Sequence, residues 1–314
     1  MAFNRIIGDS PAMHKVFNQI KQAAVTEIPI MLIGETGTGK DLVAQAIHNY
    51  SPRKDQSYIP VNLGAIPTQL VASELFGHEK GAFTGALRTH EGKFEQADKG
   101  TIFLDEIDAI DEKVQVSLLR LIEHKKFQRL GGTNSIAVDV RMIVATNADI
   151  DDLVNDNNFR EDLFYRMDVF RITLPPLRAR KTDLSLLCDA FLQNFNKSFD
   201  KNISGISPSC MDVFYNYEWP GNIRELKNVV QRAVLLCNGE QIQTEHLPAR
   251  FKNTESEASG PELTFTIGTP LDTVEKEMIL AVLNATANNR TEAARLLGIS
   301  RRALYNRLSR HNIK

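Results

Sequence analysis

A stretch of seven residues near the amino terminus has the composition and spacing of a loop that binds phosphate. Its residues are Gly34, Glu35, Thr36, Gly37, Thr38, Gly39 and Lys40. Glycines let backbone N–H groups converge on phosphate oxygens, and the lysine would neutralise the β- and γ-phosphates of a nucleotide. Asp41 comes next, where the general pattern has a Ser or Thr for Mg²⁺, so the pattern alone leaves direct metal ligation there in doubt. The predicted chemistry is nucleotide binding.

Two acids end a later apolar segment, at a place that suits metal binding and general-base catalysis. Asp105 and Glu106 directly follow Ile102-Phe103-Leu104. In open α/β sheets, ligands bind beyond the carboxyl ends of the strands. We therefore expect Asp105 to hold Mg²⁺ through water and Glu106 to act as general base on an attacking water. Asn147 follows another apolar segment and could sense the γ-phosphate, although a lone Asn at a strand end is more often a turn residue.

Between these motifs lies a run of small residues around one phenylalanine, Gly81-Ala82-Phe83-Thr84-Gly85-Ala86. Such a composition favours neither helix nor strand, and it predicts a mobile loop that holds Phe83 away from the protein body. In a nucleotide hydrolase, such a loop suggests that hydrolysis moves Phe83 against another molecule. The alternative is that Phe83 packs in a core.

The carboxyl-terminal segment predicts a helix-turn-helix. Thr291 and Ser300 are the expected caps of two short helices, and Gly298 allows the turn between them. Leu304 and Leu308 lie one helical turn apart and would face the core of this module. The predicted DNA contacts are Arg302, Asn306 and Arg310 on the opposite face, Arg295 and Arg301 towards phosphates, and Tyr305 beside them. A three-helix module that docks on protein is the alternative.

Composition describes an ordinary globular chain with one basic end. The 314 residues are 42% hydrophobic and 24% charged, and the net charge is −2. From Asp272 to Lys314, eight basic and four acidic residues give +4, which leaves −6 for the rest. Such a basic end indicates a separate module that binds a polyanion.

Cys188, Cys210 and Cys237 have neither metal nor redox spacing, so we expect buried reduced thiols. Without a signal peptide or a membrane-spanning run, a cytoplasmic location is expected.

Strands and helices alternate in the first part of the chain, which predicts an α/β fold with a mostly parallel sheet. Strands are expected at Ile30–Ile33, Tyr58–Leu63, Thr101–Leu104 and Val138–Thr146, with helices at 41–50, 66–76 and 112–124. After Leu174 only helical spacing remains, with helices expected at 207–217 and 222–237. Three more helices are expected at 271–287, 291–297 and 301–311. The predicted domains are an α/β unit at 1–174, an all-helical lid at 175–250, a flexible linker at 251–270 and a DNA-binding module at 271–314.

Four motifs together make the chain similar to a known family. They are Gly34–Lys40, Glu74-Leu75-Phe76-Gly77-His78-Glu79, the Phe83 loop and Trp219-Pro220-Gly221-Asn222-Ile223-Arg224-Glu225-Leu226. This combination resembles the bacterial enhancer-binding proteins, the sigma-54-dependent transcription activators, over nearly the whole chain. The resemblance implies an AAA+ P-loop ATPase with a helical lid and a Fis-type helix-turn-helix domain that pairs two copies. It further implies ATP and Mg²⁺ as cofactors, sigma-54 RNA polymerase holoenzyme and enhancer-like double-stranded DNA as partners, and a homo-oligomeric ring, expected to be a hexamer.

The resemblance also assigns roles to residues. Phe83, Thr84 and Gly85 would contact sigma-54, and Gly131-Gly132 would lie in a second surface loop that supports the first. Asn62 matches a switch asparagine that holds Glu106 until the γ-phosphate is sensed.

Three arginines also match positions with a role in this family. Arg160 and Arg166 match arginine fingers that reach a neighbouring subunit's nucleotide, and Arg224 matches a lid residue near the γ-phosphate. Asp41 is normal for the family. Taken alone, Arg160 and Arg166 could be surface ion pairs, and Asn222 could be a helix N-cap with Glu225 three residues later.

The sequence leaves two other classes of protein as alternatives. One is a DNA-binding repressor with a vestigial ATPase, which acts by occupancy. The other is a different AAA+ machine, such as a helicase loader, against which the Phe83 loop argues. No receiver domain with a phospho-accepting aspartate precedes the ATPase module, so control would come from a partner or from a sensor outside this sequence.

Overall fold

Five apolar runs form one parallel sheet, as their alternation with helices predicts. The computed structural model describes residues 6–252, 263, 265–266, 268–286 and 289–311. The five strands are β1 (Ile30–Ile33), β2 (Tyr58–Asn62), β3 (Thr101–Asp105), β6 (Arg141–Thr146) and β7 (Phe170–Thr173). Their order is β2-β3-β6-β1-β7, and every neighbouring pair is parallel. The carboxyl ends of β1, β2, β3 and β6 therefore meet along one edge, where the polar motifs lie.

Helices cover both faces of this sheet, because successive strand residues point to opposite sides. The helices of this part are α1 (Pro11–Ala24), α2 (Lys40–Asn49), α3 (Thr68–Phe76), α4 (Lys93–Gln96), α5 (Glu112–His124), α6 (Ile150–Asn155) and α7 (Glu161–Met167). Met31 packs in a core with residues of α3, α5 and α7. Its neighbours Ile30 and Leu32 pack on the other face with α1 and α2.

The expected strand Val138–Thr146 is shorter than predicted. Residues 126–128 and 135–137 form an antiparallel pair, β4 (Lys126–Gln128) and β5 (Ser135–Ala137), and β6 begins only at Arg141. The backbone at Asp139 is bonded to groups outside the strands. Its N–H donates to Asp98 Oδ1, and its carbonyl accepts from Arg53 Nη1 and from the Lys99 N–H.

The segment after the sheet consists of α8 (Leu184–Phe199), α9 (Pro208–Asn216) and α10 (Asn222–Leu236), preceded by a 3₁₀ segment at Leu177–Asp183. The prediction that it is all-helical is wrong in one detail. Two-residue strands β8 (Gly205–Ile206) and β9 (Gln241–Ile242) pair in parallel, and they are too short to leave a period in the sequence. These elements belong with the sheet in one compact unit, Met1–Leu247.

The second compact unit, Pro248–Lys314, contains α11 (Ala249–Lys252), α12 (Leu271–Ala285), α13 (Arg290–Leu296) and α14 (Arg301–Arg310). Leu304 and Leu308 are buried as predicted. Ser300 caps α14, and Gly298 adopts φ +66° in the turn. The cap of α13 is Asn289 and not Thr291, because Asn289 Oδ1 accepts from the N–H groups of Thr291 and Glu292. The boundaries predicted for the four domains stay predictions, and most of the expected linker lies outside the described residues.

The three cysteines are free thiols in the first unit, and all are buried. Burial raises the pKa of Cys188 and of Cys210 to about 12. Cys237 donates to the carbonyls of Gly239 and Gln241. Among the residues that the structure describes, no helix is long and apolar enough to cross a bilayer.

Candidate functional site

The phosphate-loop motif connects β1 to α2, which is the context that such a loop requires. Gly37 and Gly39 adopt φ +80° and +97°, a left-handed conformation that side chains disfavour. Lys40 is the first residue of α2 and only 7% exposed. Its Nζ donates to the carbonyl oxygens of Gly34, at 2.6 Å, and Glu35, at 3.4 Å. The loop thus surrounds its own lysine at a helix N-terminus, where phosphate is favoured.

Beside this loop, the positive charge of Lys40 at the start of α2 lies close to the negative charges of Asp105 and Glu106 at the end of β3. Burial lowers the pKa of the Lys40 ammonium, although the carboxylates of Asp105 and Glu106 oppose that shift. Burial likewise raises the pKa of the Asp105 carboxyl, with Glu106 and Asp41 adding to the rise and Lys40 opposing it. The negative charge of the Asp105 carboxylate is therefore not fully balanced by Lys40, and a divalent cation that accompanies a phosphate would balance it. Asp105 therefore fits Mg²⁺, which needs only one or two protein carboxylates beside phosphate oxygens.

Glu106 is held by the end of the neighbouring strand. Its backbone has φ +56°, and Asn62 Nδ2 donates to its Oε1 at 3.3 Å. Asn62 and Asp105 are partners in the β2–β3 register, which brings the predicted switch residue beside the acids. Gly64 completes the arrangement, because a Cβ at this position would lie 1.8 Å from Glu106 Oε2.

Asn147 lies beyond the end of β6, and its Nδ2 donates to Thr36 Oγ1 in the phosphate loop at 3.0 Å. This contact places the amide at the edge predicted for a γ-phosphate sensor.

The lid touches the same loop through the Trp219–Leu226 motif. Asn222 is fully buried, and its Nδ2 donates to the Thr36 carbonyl. Asn222 is therefore not the N-cap of α10, and Glu225 instead accepts from the Gly221 N–H.

A cavity of about 810 Å³ opens beside Gly37. The residues that line it include Ile6, Ile7, Asp41, Leu42, Phe191, Phe195, Ile223, Arg224 and Lys227. The volume and the mixture of apolar and cationic walls suit a nucleotide.

Arg160 and Arg166 lie at the beginning and near the end of α7, and both are partly exposed. Arg160 pairs with Asp162 at 2.7 Å, and Arg166 pairs with Glu123 at 3.2 Å. Within this chain they are surface ion pairs, the alternative that sequence alone leaves open. Tyr165, 66% exposed, lies between them along the helix.

The Phe83 loop lies on the surface, although its ring is not held fully away from the protein body. Phe83 is 40% exposed, and its ring packs edge-to-face with the ring of His78, with centroids 4.9 Å apart. A bond from the Gly81 N–H to the Ala86 carbonyl closes the loop at its base. Gly131 lies against it, since a Cβ there would come within 2.8 Å of Ala82 Cβ.

Three residues near the site were not singled out from sequence. Arg129 donates twice to Glu95, at 2.9 and 2.6 Å, and once to Glu79, at 3.0 Å, and so ties the β4–β5 pair to the loop base. Arg178 pairs with Glu35 of the phosphate loop. Gly64 is the third. Of these three, only Gly64 could have been noticed in the sequence, because it is a glycine two residues beyond the end of a strand.

The predicted DNA-binding residues share one helix and its neighbour. Arg301, Arg302, Tyr305 and Asn306 are exposed on α14. Two of the predicted contacts already have partners in the same unit: Arg310 pairs with Asp272 and Arg295 with Glu292.

Three carboxyl-terminal side chains could also hold a metal ion, since Asp272, Glu275 and His311 bring ligand atoms within 4.8 Å of one another. Arg310 and Arg307 already pair with the two carboxylates. We assign no metal to this group.

Family models match almost the whole chain. Residues 6–173 match the sigma-54 interaction domain, residues 178–263 the AAA+ ATPase lid domain, and residues 270–311 the bacterial regulatory proteins of the Fis family.

Individual proteins are similar over the same length. The transcriptional regulatory protein ZraR of Salmonella typhimurium is 47% identical over 97% of this chain and 68% of its own. The nitrogen fixation protein AnfA of Azotobacter vinelandii is 43% identical over 99% of this chain and 58% of its own. The crystal structure of NtrX from Brucella abortus in complex with ATP is similar with a TM-score of 0.75 and 31% identity. That similarity covers 98% of this chain and 70% of NtrX.

Proposed function

Because this chain belongs to the sigma-54-dependent transcription activators, with an AAA+ module and a Fis-type helix-turn-helix, we propose that it hydrolyses ATP to remodel a promoter complex. The target is the closed complex of sigma-54 RNA polymerase holoenzyme. The protein binds enhancer-like DNA through α14 and transmits the energy of hydrolysis through the Phe83 loop. The observation that carries the proposal is that Phe83 is exposed on a loop that is closed by its own hydrogen bond and supported at its base by Gly131 and Arg129.

The phosphate loop and the strand ends supply the chemistry of hydrolysis. Backbone N–H groups of residues 34–40 and the Lys40 ammonium bind the phosphates. Asp105 would hold Mg²⁺, which supplies further neutralisation of phosphate charge. Glu106 accepts a proton from the attacking water, which adds to the γ-phosphorus as the bond to the β-phosphate oxygen breaks. Asn147 and Arg224 lie at the γ-phosphate end of the site.

Asn62 makes hydrolysis depend on whether the bound nucleotide has a γ-phosphate. Its Nδ2 donates to a carboxylate oxygen of Glu106, and its own Oδ1 accepts from the Ala65 N–H at 2.8 Å. A carboxylate held by a donor is less available as a base. Release of Glu106 when a γ-phosphate arrives would turn on catalysis and shift β2 and the segment that follows it.

Assembly completes the active site. Arg160 and Arg166 are held by acids of their own chain, and these exposed pairs cost little to exchange for a phosphate of a neighbouring subunit. Tyr165 and Val169, 66% and 52% exposed, flank Arg166 and border a cavity of about 350 Å³. Exposed apolar side chains beside exposed arginines are typical of an interface. Head-to-tail interfaces close into a ring when the rotation between neighbouring subunits permits it, and we propose a hexameric ring here.

Loss of the Phe83 contact tests the proposal. Phe83→Ala and Thr84→Ala should leave folding, assembly and basal ATPase close to wild type. They should abolish binding to sigma-54 in the ADP·AlFₓ-trapped state, where the fluoride stands in for the transferring phosphoryl group, and open-complex formation with it. Tyr215→Ala removes a similarly exposed aromatic from lid helix α9 and should change none of these activities.

Two outcomes would argue against this function. A fall of about 3–5 kcal/mol in the free energy of unfolding of Phe83→Ala would mean that the ring belongs to a core. DNA binding by a wild-type protein that neither hydrolyses ATP nor forms open complexes would favour a repressor that acts by occupancy.

A further inference from the structure

One carboxylate of the phosphate loop is bound from two other parts of the chain. Arg178 Nη1 donates to Glu35 Oε2 at 2.9 Å, and its Nη2 donates to Oε1 at 2.5 Å. Asn222 Nδ2 donates to the same Oε2 at 3.2 Å. Arg178 belongs to the 3₁₀ segment that follows the sheet, whereas Asn222 begins α10 of the lid. Three distant segments therefore meet at Glu35.

Asn222 makes the central connection, and its amide is used completely. Its Oδ1 accepts from the Leu177 N–H at 2.8 Å, and its Nδ2 also donates to the Thr36 carbonyl at 3.0 Å. The side chain is fully buried, and the backbone has φ +51°. A buried amide with both ends bonded fixes its neighbours more firmly than an exposed ion pair does.

The lid backbone is bonded to the loop as well. The N–H groups of Ile223 and Arg224 both point to the Gly37 carbonyl, at 3.0 and 3.3 Å. A Cβ on Gly37 would lie 2.4 Å from the Gly221 carbonyl oxygen, so loop and lid are in direct backbone contact. Movement of the loop away from the start of α10 would therefore break these two hydrogen bonds.

We propose that Glu35, Arg178 and Asn222 form a latch that holds the lid on the phosphate loop and thereby sets the affinity for nucleotide. The three side chains are positioning groups, because they order the loop and do not themselves touch phosphate. The proposal rests on the nucleotide site proposed above. A loop ordered before binding loses less conformational freedom when phosphates arrive, so binding is tighter. Because the latch orders the part of the loop that both nucleotides use, it acts on ADP and ATP alike.

The simpler explanation is an incidental surface pair. The side chains of Arg178 and Glu35 are 41% and 39% exposed, and exposed pairs contribute little to stability. The two explanations differ in what they predict for nucleotide affinity. An incidental pair leaves it unchanged, whereas a latch couples it to both partners.

A double-mutant cycle on nucleotide affinity separates them. Dissociation constants of fluorescent mant-ATP and mant-ADP would be measured for the wild-type full chain, Arg178→Ala, Glu35→Gln and the double variant. We expect each single change to weaken both nucleotides by about 3- to 10-fold, and the double variant to be no weaker than the worse single one. Lys181→Ala is the matched control, because Lys181 lies in the same segment but pairs with Glu218 at 3.6 Å, away from the loop. It should bind as wild type does.

The conservative variant and the amide supply further readouts. Arg178→Lys keeps the charge but cannot bond to both oxygens, so it should recover only part of the affinity. Asn222→Gly tolerates the left-handed backbone and removes the amide, and it should weaken both nucleotides by more than about 10-fold. Asn157→Gly, at φ +58° in an exposed turn, controls for the glycine and should bind normally. If Asn222→Gly does not fold, the double-mutant cycle decides.

The latch would be wrong if the two single effects add in the double variant, or if Arg178→Ala and Glu35→Gln bind both nucleotides as wild type does. It would also be wrong if only ATP is weakened, since that result points to the γ-phosphate and to Arg224. Failure of the wild-type protein to bind any nucleotide would instead overturn the proposed function.

Discussion

Glu106 has a backbone conformation that residues other than glycine seldom adopt. Its φ of +56° places it in the left-handed region at the exact point where β3 ends and a 3₁₀ turn begins. Several groups keep it there: Asn62 bonds to the carboxylate, Gly64 leaves it space, and the Ala109 N–H donates to its carbonyl. Such strain persists only where the surroundings enforce it, and it is common at active sites.

The role of Glu106 can be tested at this residue alone. Glu106→Gln keeps the shape and removes the base, so hydrolysis should fall by roughly 10²–10⁴-fold. Binding of mant-ATP should stay near the wild-type affinity, because Lys40 and the loop are unchanged. Near-normal turnover in this variant, measured as phosphate release, would remove Glu106 from the role.

Among the elements, the β4–β5 pair is joined to the base of the Phe83 loop by Arg129. The hydrogen bonds from Arg129 lower the pKa of Glu95 from its ordinary value of 4.5. The Arg129–Glu95 ion pair therefore stabilises the fold fully above pH 4.5, the ordinary pKa of the unfolded carboxyl. This stabilisation is lost as the pH falls through the lower pKa that Glu95 has in the folded protein. Glu95→Gln should cost about 1–3 kcal/mol at pH 7, measured by urea unfolding, because the Glu95 side chain is only 14% exposed and bonded to a charged partner. That difference from wild type should shrink below about pH 4. A difference that stays constant with pH would contradict the role of charge.

Helix α14 is the element expected to read DNA. Arg302 and Asn306 are exposed opposite the buried Leu304 and Leu308. Arg302→Ala and Asn306→Ala should each weaken specific binding by about 1–3 kcal/mol and relax base preference, which a binding-site selection would detect. Unchanged preference in both variants would mean that another face of the helix meets the bases.

Elements were more predictable from sequence than the contacts between them. The helices at 112–124 and 301–310 end within one residue of their expected bounds, because periodicity and caps are local signals. Asn222 was interpreted as a cap since Glu225 follows it at the right spacing. Its real partners, Glu35, Thr36 and Leu177, are far away in sequence, and no local pattern records them. The acids at the end of β3 were predicted to face the ligand because, in open α/β sheets, ligands bind beyond the carboxyl ends of the strands. The Asn62–Glu106 contact, in contrast, was implied by the resemblance alone.

For the whole molecule, the main expectation is that the active site is shared between subunits. If Arg160 and Arg166 act across a boundary, specific ATPase activity should rise with protein concentration. Mixing Arg160→Ala with Lys40→Ala subunits should restore part of the hydrolysis, because some interfaces then combine an intact Lys40 with an intact Arg160. Two Lys40→Ala preparations mixed in the same way are the control and should stay inactive. Activity that is flat with concentration in a proven monomer would contradict shared sites.

The buried thiols make the chain suitable for site-specific labelling. Burial raises the pKa of Cys188 and of Cys210, which keeps them as thiols near neutral pH, and thiolate is the form that maleimide dyes attack. Cys237 is 1% exposed and therefore also shielded from reagents. One cysteine introduced on the surface should thus take up dye selectively while the native three are kept. Placed at Thr84, such a probe would report the position of the loop through each round of hydrolysis by single-molecule fluorescence.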